Sequence, residues 1–128
     1  MDGISYLDTN LVLWLFAGMV EKISANARRR LESGTLLISP AVALELEYLY
    51  ERRRIVERSA FVVSELAKQI NLQICGIQFA SVMDAAIQMS WTRDPFDRLI
   101  TANAEANGRA ALITSDRNIR RHYPNAIW

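Results

Sequence analysis

Residues 4–10, Ile-Ser-Tyr-Leu-Asp-Thr-Asn, form a short apolar run that stops at an acid, and the chain continues through LVLWLF to Gly18. Asn10 is placed to cap that second segment as a helix and Gly18 to end it. A strand that runs straight into a helix is the opening of a parallel α/β unit. In an open sheet of this kind the carboxyl ends of the strands face one crevice, where ligands bind. Asp8 therefore stands at the mouth of such a crevice. Its plain structural role is to cap the helix, a task Asn10 can also perform.

The same grammar repeats outward from this segment. LLIS (36–39), LQICGI (72–77), AALITS (110–115) and a short NAIW (125–128) read as further strands. Ser24 can cap ANARRRLE with Gly34 as its end, while Ser39 and Pro40 supply a cap and a favourable first residue for AVALELEYLYE. RIVERSAFVVSELAKQI (54–70) carries apolar residues at helical spacing, at Ile55, Val56, Phe61, Val62 and Leu66. FASVMDAAIQMSW (79–91) is a further helix, and RDPFDRLITANAEANG (93–108) another, with Asp94 as cap, Pro95 just inside and Gly108 as stop. Strands alternating with helices predict a parallel sheet of about four or five strands covered on both faces.

At 128 residues, 51% of them hydrophobic, the chain has the size of one domain spanning 1–128. The most apolar stretch, ISYLDTNLVLWLFAG, is broken by Asp8 and Asn10 and is too short to cross a bilayer. The reading is a soluble, cytoplasmic protein with no membrane partner. The single cysteine, Cys75, has no partner for a disulfide or a zinc knuckle and is expected in the core. His122, the only histidine, is expected at the surface, and no nucleophile triad can be assembled from it. No glycine-rich phosphate loop is present.

A net charge of +1 gives no global attraction to nucleic acid, but the arginines are clustered: 28–30, 52–54 with Arg58, and Arg117 with Arg120 and Arg121. Most are expected to form solvated faces paired with Glu32, Glu51 and Glu57. Some remain to line a phosphate track.

Acids after distant strands or at helix starts carry the chemistry. Asp8 follows the first strand, Asp116 follows AALITS, Asp97 lies three residues after its cap, and Glu45 lies nearer the apolar side of its helix than Glu47. Each has a plain alternative: a turn or cap for Asp116, favourable pairing with the helix dipole for Asp97. Gathered in one crevice, these carboxylates repel one another unless some are protonated or a divalent cation lies among them. Hard oxygen donors with room for water suit Mg²⁺ or Mn²⁺ more than zinc.

Taken together, YLDTNLVLWL, SPAVALELEYLYE, RDPFDRLITANA and LITSDRNI followed by YPNAIW resemble the PIN-domain family, and within it the VapC-type toxins. The resemblance covers nearly the whole chain. It implies a PIN-like α/β/α sandwich and a Mg²⁺- or Mn²⁺-dependent endoribonuclease that cleaves RNA, leaving a 5′-phosphate and a 3′-hydroxyl. It also implies a homodimer, placed here through the Leu46, Leu49 and Tyr50 region, and a cognate VapB-type antitoxin. The family's four acids fall on Asp8, Glu45, Asp97 and Asp116. Asp94 is an additional aspartate of the DPFDR segment, and Thr9 and Asn10 match the small polar residues beside the first acid. Asp8 and Asp97 would hold the metal, with Glu45 and Asp116 completing the set directly or through water. A phosphoacceptor receiver domain is the rival from another class, but its lysine after the last strand is missing, since Lys22 and Lys68 both lie in helical segments. A catalytically silent PIN-like binding module is the other alternative, and the complete set of acids argues against it.

Overall fold

In the computed structural model, which describes residues 3–128, the strands are β1 Ile4–Leu7, β2 Thr35–Ile38, β3 Gln73–Ile74, β4 Ala111–Ile113 and β5 Ala126–Ile127. They form one parallel sheet in the order β3-β2-β1-β4-β5. β1 is central, with Ser5 beside Leu36 on one side and Ala111 on the other. Helices α1 Thr9–Ala17, α2 Ala25–Leu31, α3 Pro40–Glu51, α4 Ser59–Ile70, α5 Phe79–Ile87, α6 Pro95–Ala106 and α7 Arg117–His122 surround it. Consecutive residues of the inner strands are buried, Tyr6 with Leu7 and Leu112 with Ile113, as a sheet covered on both faces demands. Leu11, Val12, Leu46, Leu66, Ile100 and Ile119 pack on it from the helices.

Local chemistry explains where elements start and stop. Ser24 and Ser39 cap α2 and α3 through their side chains, and Pro40 opens α3. Gly18 ends α1 in the left-handed conformation. Gly34 is required more strictly. Its φ is +76°, and a Cβ there would lie 2.0 Å from the Gly3 carbonyl oxygen, which accepts the Thr35 N–H as β2 joins β1.

Several expectations need correction. Asn10 does not cap α1: Asp8 does, and Asn10 lies exposed inside the helix. Residues 54–58 are not helical. After α3 the chain turns through Arg53 at φ 60°, and α4 begins only at Ser59. The reason lies in α3, where Glu47 accepts the Ser59 N–H at 3.1 Å and pairs with Arg58, supplying a cap that Arg58 itself lacks. β3 is two residues rather than six and α5 stops at Ile87, whereas the cap reading of Asp116 holds, with α7 as the helix it starts. Glu32, Glu51 and Glu57 make no ion pair with arginine among the described residues; the acids that do are Glu47 and Glu105. Leu46 is fully buried, so it is not available to join two copies; the exposed apolar side chains of α3 are Leu44 and Tyr48. Among the described residues no helix is long and apolar enough to cross a membrane.

Candidate metal centre

The carboxyl ends of β1 and β4 are stitched together by one buried hydroxyl. Thr114, immediately after β4, donates to Asp8 Oδ2 at 2.5 Å and accepts the Asp116 N–H at 3.0 Å. Asp8 Oδ1 accepts the Thr9 N–H at 2.8 Å, and the Asp8 backbone N–H reaches the Ile113 carbonyl at 3.1 Å. The first acid is thereby fixed by α1, β4 and the turn leading into α7. Asp116 in turn accepts the Ile119 N–H at 2.9 Å and caps α7.

Thr9 extends the arrangement to α3, donating to Glu45 Oε1 at 2.5 Å. Asp94 accepts the N–H groups of Phe96 and Asp97 at 2.9 and 3.1 Å, which sets the start of α6 and places Asp97 in its first turn. Thr92 accepts the Asp94 N–H at 3.1 Å. Asp8 is buried, Glu45, Asp97 and Asp116 are half-buried, and Asp94 is exposed. Asn10 lies outside these hydrogen bonds. Thr114 was not legible as part of this arrangement, although a hydroxyl two residues before Asp116 at a strand end was the available signal.

The carboxylates are near enough for their charges to act on one another. Burial raises the Asp97 pKa to about 7, and the charges of Asp94, Asp116, Asp8 and Glu45 add to the rise. Burial likewise pushes Asp8 up against the hydrogen bonds from Thr114 and Thr9, with Asp116 and Asp94 contributing. Glu45 is raised by burial, against the Thr9 bond, and by Asp8 and Asp94. Acids from the ends of β1 and β4 and from α3 and α6 thus share one electrostatic neighbourhood, and none of the ion pairs among the described residues involves them. Glu47 behaves in the opposite way: Arg58 and the Ser59 N–H hold its carboxyl below the usual range.

Among the described residues no three acidic, histidine or cysteine side chains close into a ready-made cage. Carboxylate oxygens are the donors that hard divalent cations take, and a magnesium ion is commonly held by one or two of them together with several waters. An all-oxygen donor set without a neutralising cation of its own suits such an ion.

A PIN domain family model matches residues 5–123. No curated protein matches the sequence. Among solved structures, VapBC2 from Rickettsia felis, bound to a promoter DNA fragment, is 18% identical with a TM-score of 0.67, covering 96% of this chain and 95% of that one. A toxin–antitoxin complex from Klebsiella pneumoniae is 16% identical with a TM-score of 0.63, over 97% and 96% of the two chains. DNA-bound VapBC from Salmonella typhimurium is 20% identical with a TM-score of 0.59, over 98% and 96%. At these identities the likeness shows a shared fold.

Proposed function

This chain belongs to the PIN domain family, and from that premise we propose that it is a divalent-metal-dependent endoribonuclease of the VapC toxin type. One observation carries the reading: Asp8 after β1, Glu45 on α3 and Asp97 in the first turn of α6 are each raised by burial and by neighbouring carboxylates, among them Asp94 and Asp116. Structural acids are normally paired or solvated, whereas a group of half-buried, mutually repelling ones is the arrangement expected of a cation site.

Asp8 and Asp97 would hold Mg²⁺ or Mn²⁺, with Glu45 and Asp116 reaching it directly or through water. When bound, the ion supplies positive charge against the scissile phosphate and acidifies a water. The chain's own contribution is orientation. Thr114 and the Thr9 N–H fix both Asp8 oxygens, Thr9 Oγ1 fixes Glu45, and the Asp94 cap fixes the turn that carries Asp97. The substrate is RNA in the cytoplasm, and the reaction is phosphodiester hydrolysis.

The solved relatives are VapBC toxin–antitoxin complexes, which supports a VapB-type antitoxin as partner. An arginine of that partner, inserted among the acids, would complement them bidentately. A homodimer is part of the same reading, and a monomer by light scattering at every working concentration would remove it. The deciding experiment incubates purified protein with end-labelled RNA in chelator, Mg²⁺ or Mn²⁺. Cleavage that needs the metal and disappears in Asp97→Asn supports the enzyme. Absence of cleavage with both metals, across several RNAs, would leave a PIN-like binding module instead.

A further inference from the structure

We propose that the exposed face of α7, together with the Trp91–His122 stack, is the track on which single-stranded RNA lies as it enters the acidic crevice. This rests on the nuclease reading above and names the surface that delivers its substrate. Arg117, Arg120 and Arg121 are all exposed, while Ile119 anchors the helix in the core. At spacings of three and four residues, Arg117 is a surface neighbour of both other arginines, so three like charges crowd one face.

None of the three has an acidic partner within 4 Å among the described residues. Several other arginines are occupied, Arg58 and Arg109 with glutamates, Arg28 and Arg98 with backbone carbonyls and Arg30 with Ser5, whereas Arg53 and Arg54 in the turn after α3 are exposed without a side-chain partner among the described residues. Cations at a helix C-terminus complement the dipole, which accounts for Arg120 and Arg121 but not for Arg117 in the first turn. A bound polyanion accounts for all three. The location is right as well, because Arg117 directly follows Asp116 and the face extends about 9 Å along the helix from the crevice.

At the other end of α7, His122 stacks on Trp91 with ring centroids 5.1 Å apart and planes within 5° of parallel. Both rings line a cleft of about 740 Å³ that also contains Gln88 and Met89. A flat aromatic pair beside a cationic face is the combination that holds single strands: bases on the rings, phosphates on the arginines. Asp84 and Glu105 also line the cleft and repel phosphate, which assigns the backbone to α7 and a base to the cleft.

The test measures fluorescence anisotropy of a labelled single-stranded oligoribonucleotide of about a dozen nucleotides, in chelator so that nothing is cut. Arg120→Ala/Arg121→Ala should weaken binding about tenfold or more and flatten the slope of log affinity against log salt by about 0.7 per arginine. Arg29→Ala/Lys68→Ala removes the same charge elsewhere and should change binding less than threefold, since screened charge off the track adds little. An oligonucleotide carrying 2-aminopurine should be quenched on binding wild type and much less by His122→Ala or Trp91→Phe. Melting temperatures close to wild type certify each fold. Equal weakening by the two double variants, or unchanged quenching, overturns the proposal. So does an α7 variant that binds RNA normally but escapes neutralisation by the antitoxin, because the surface would then belong to a protein partner. A chain that binds through α7 and never cuts defeats the nuclease reading alone; metal-dependent cleavage untouched by the α7 changes defeats the track alone.

Discussion

Thr114 Oγ1 lies 2.5 Å from Asp8 Oδ2 while accepting the Asp116 N–H at 3.0 Å, so a single hydroxyl links an acid at the end of β1 to the backbone of another after β4. It is wholly buried, where a missing partner is costly. Thr114→Val should cost about 1–3 kcal/mol, because it leaves the Asp116 N–H without its acceptor and Asp8 with one donor fewer. Cleavage should fall about tenfold or more, the usual effect of removing a group that orients a metal ligand. Thr114→Ser keeps the hydroxyl and should retain most of both. Melting curves and cleavage rates for the pair decide the matter, and a Val variant with full activity would remove the positioning role.

The two glutamates of α3 should separate cleanly. Glu45→Gln weakens a donor set in which Thr9 already holds one oxygen, and cleavage should fall at least tenfold with little change in fold. Glu47→Gln disturbs only the Arg58 pair and the Ser59 cap at the start of α4. It should lower the melting temperature slightly and leave cleavage near wild type. Comparable activity loss in both variants would mean that the site is not confined to the Glu45 side of the helix.

Asp8→Asn and Asp97→Asn keep the shape of each side chain and remove the charge that holds a hard cation. Each should abolish detectable cleavage of labelled RNA, and neither should unfold the protein by circular dichroism. Co-expression of the cognate antitoxin should relieve growth arrest caused by wild type, and both variants should be harmless without it. Growth arrest by either variant would detach toxicity from the carboxylates.

What was legible in the sequence and what was not divide along a physical line. Asp8, Ser39–Pro40 and Asp94–Pro95 mark strand ends and helix starts through local stereochemistry, and the sheet followed from their alternation with apolar runs. The errors lie where a residue answers to something distant in the chain. Residues 54–58 look helical by period, but Glu47 on α3 caps the chain at Ser59 and fixes where α4 begins. Leu46 sits on an amphipathic helix, yet only the packed fold shows it turned fully inward. Cys75 was expected in the core, but nothing local announces that its sulfur accepts hydrogen bonds from Tyr6 and Asn103 across the sheet. Thr114 is the same case within the candidate site: its partner Asp8 is 106 residues away.

The final prediction concerns Asp97, whose pKa is raised to about 7 by burial first and then by the charges of Asp94, Asp116, Asp8 and Glu45. A carboxyl of the unfolded chain titrates near 4, so between about pH 4 and about pH 7 the folded state holds more protons at this position than the unfolded state. Stability therefore falls as pH rises through that window, and below it the penalty is absent. Solvent screening at a half-exposed carboxyl reduces the cost above pH 7 to on the order of 1–2 kcal/mol. Asp97→Asn removes the titration. In chelator it should melt higher than wild type at pH 7.5 and no higher at pH 4. Mg²⁺ or Mn²⁺ binds only the folded state and offsets the same repulsion, so it should raise the wild-type melting temperature at pH 7.5 and raise that of Asp97→Asn much less. Melting curves at the two pH values, with chelator and with each metal, give the answer. If Asp97→Asn is destabilised in chelator at pH 7.5 and its response to metal matches wild type, Asp97 is not the strained carboxylate described here.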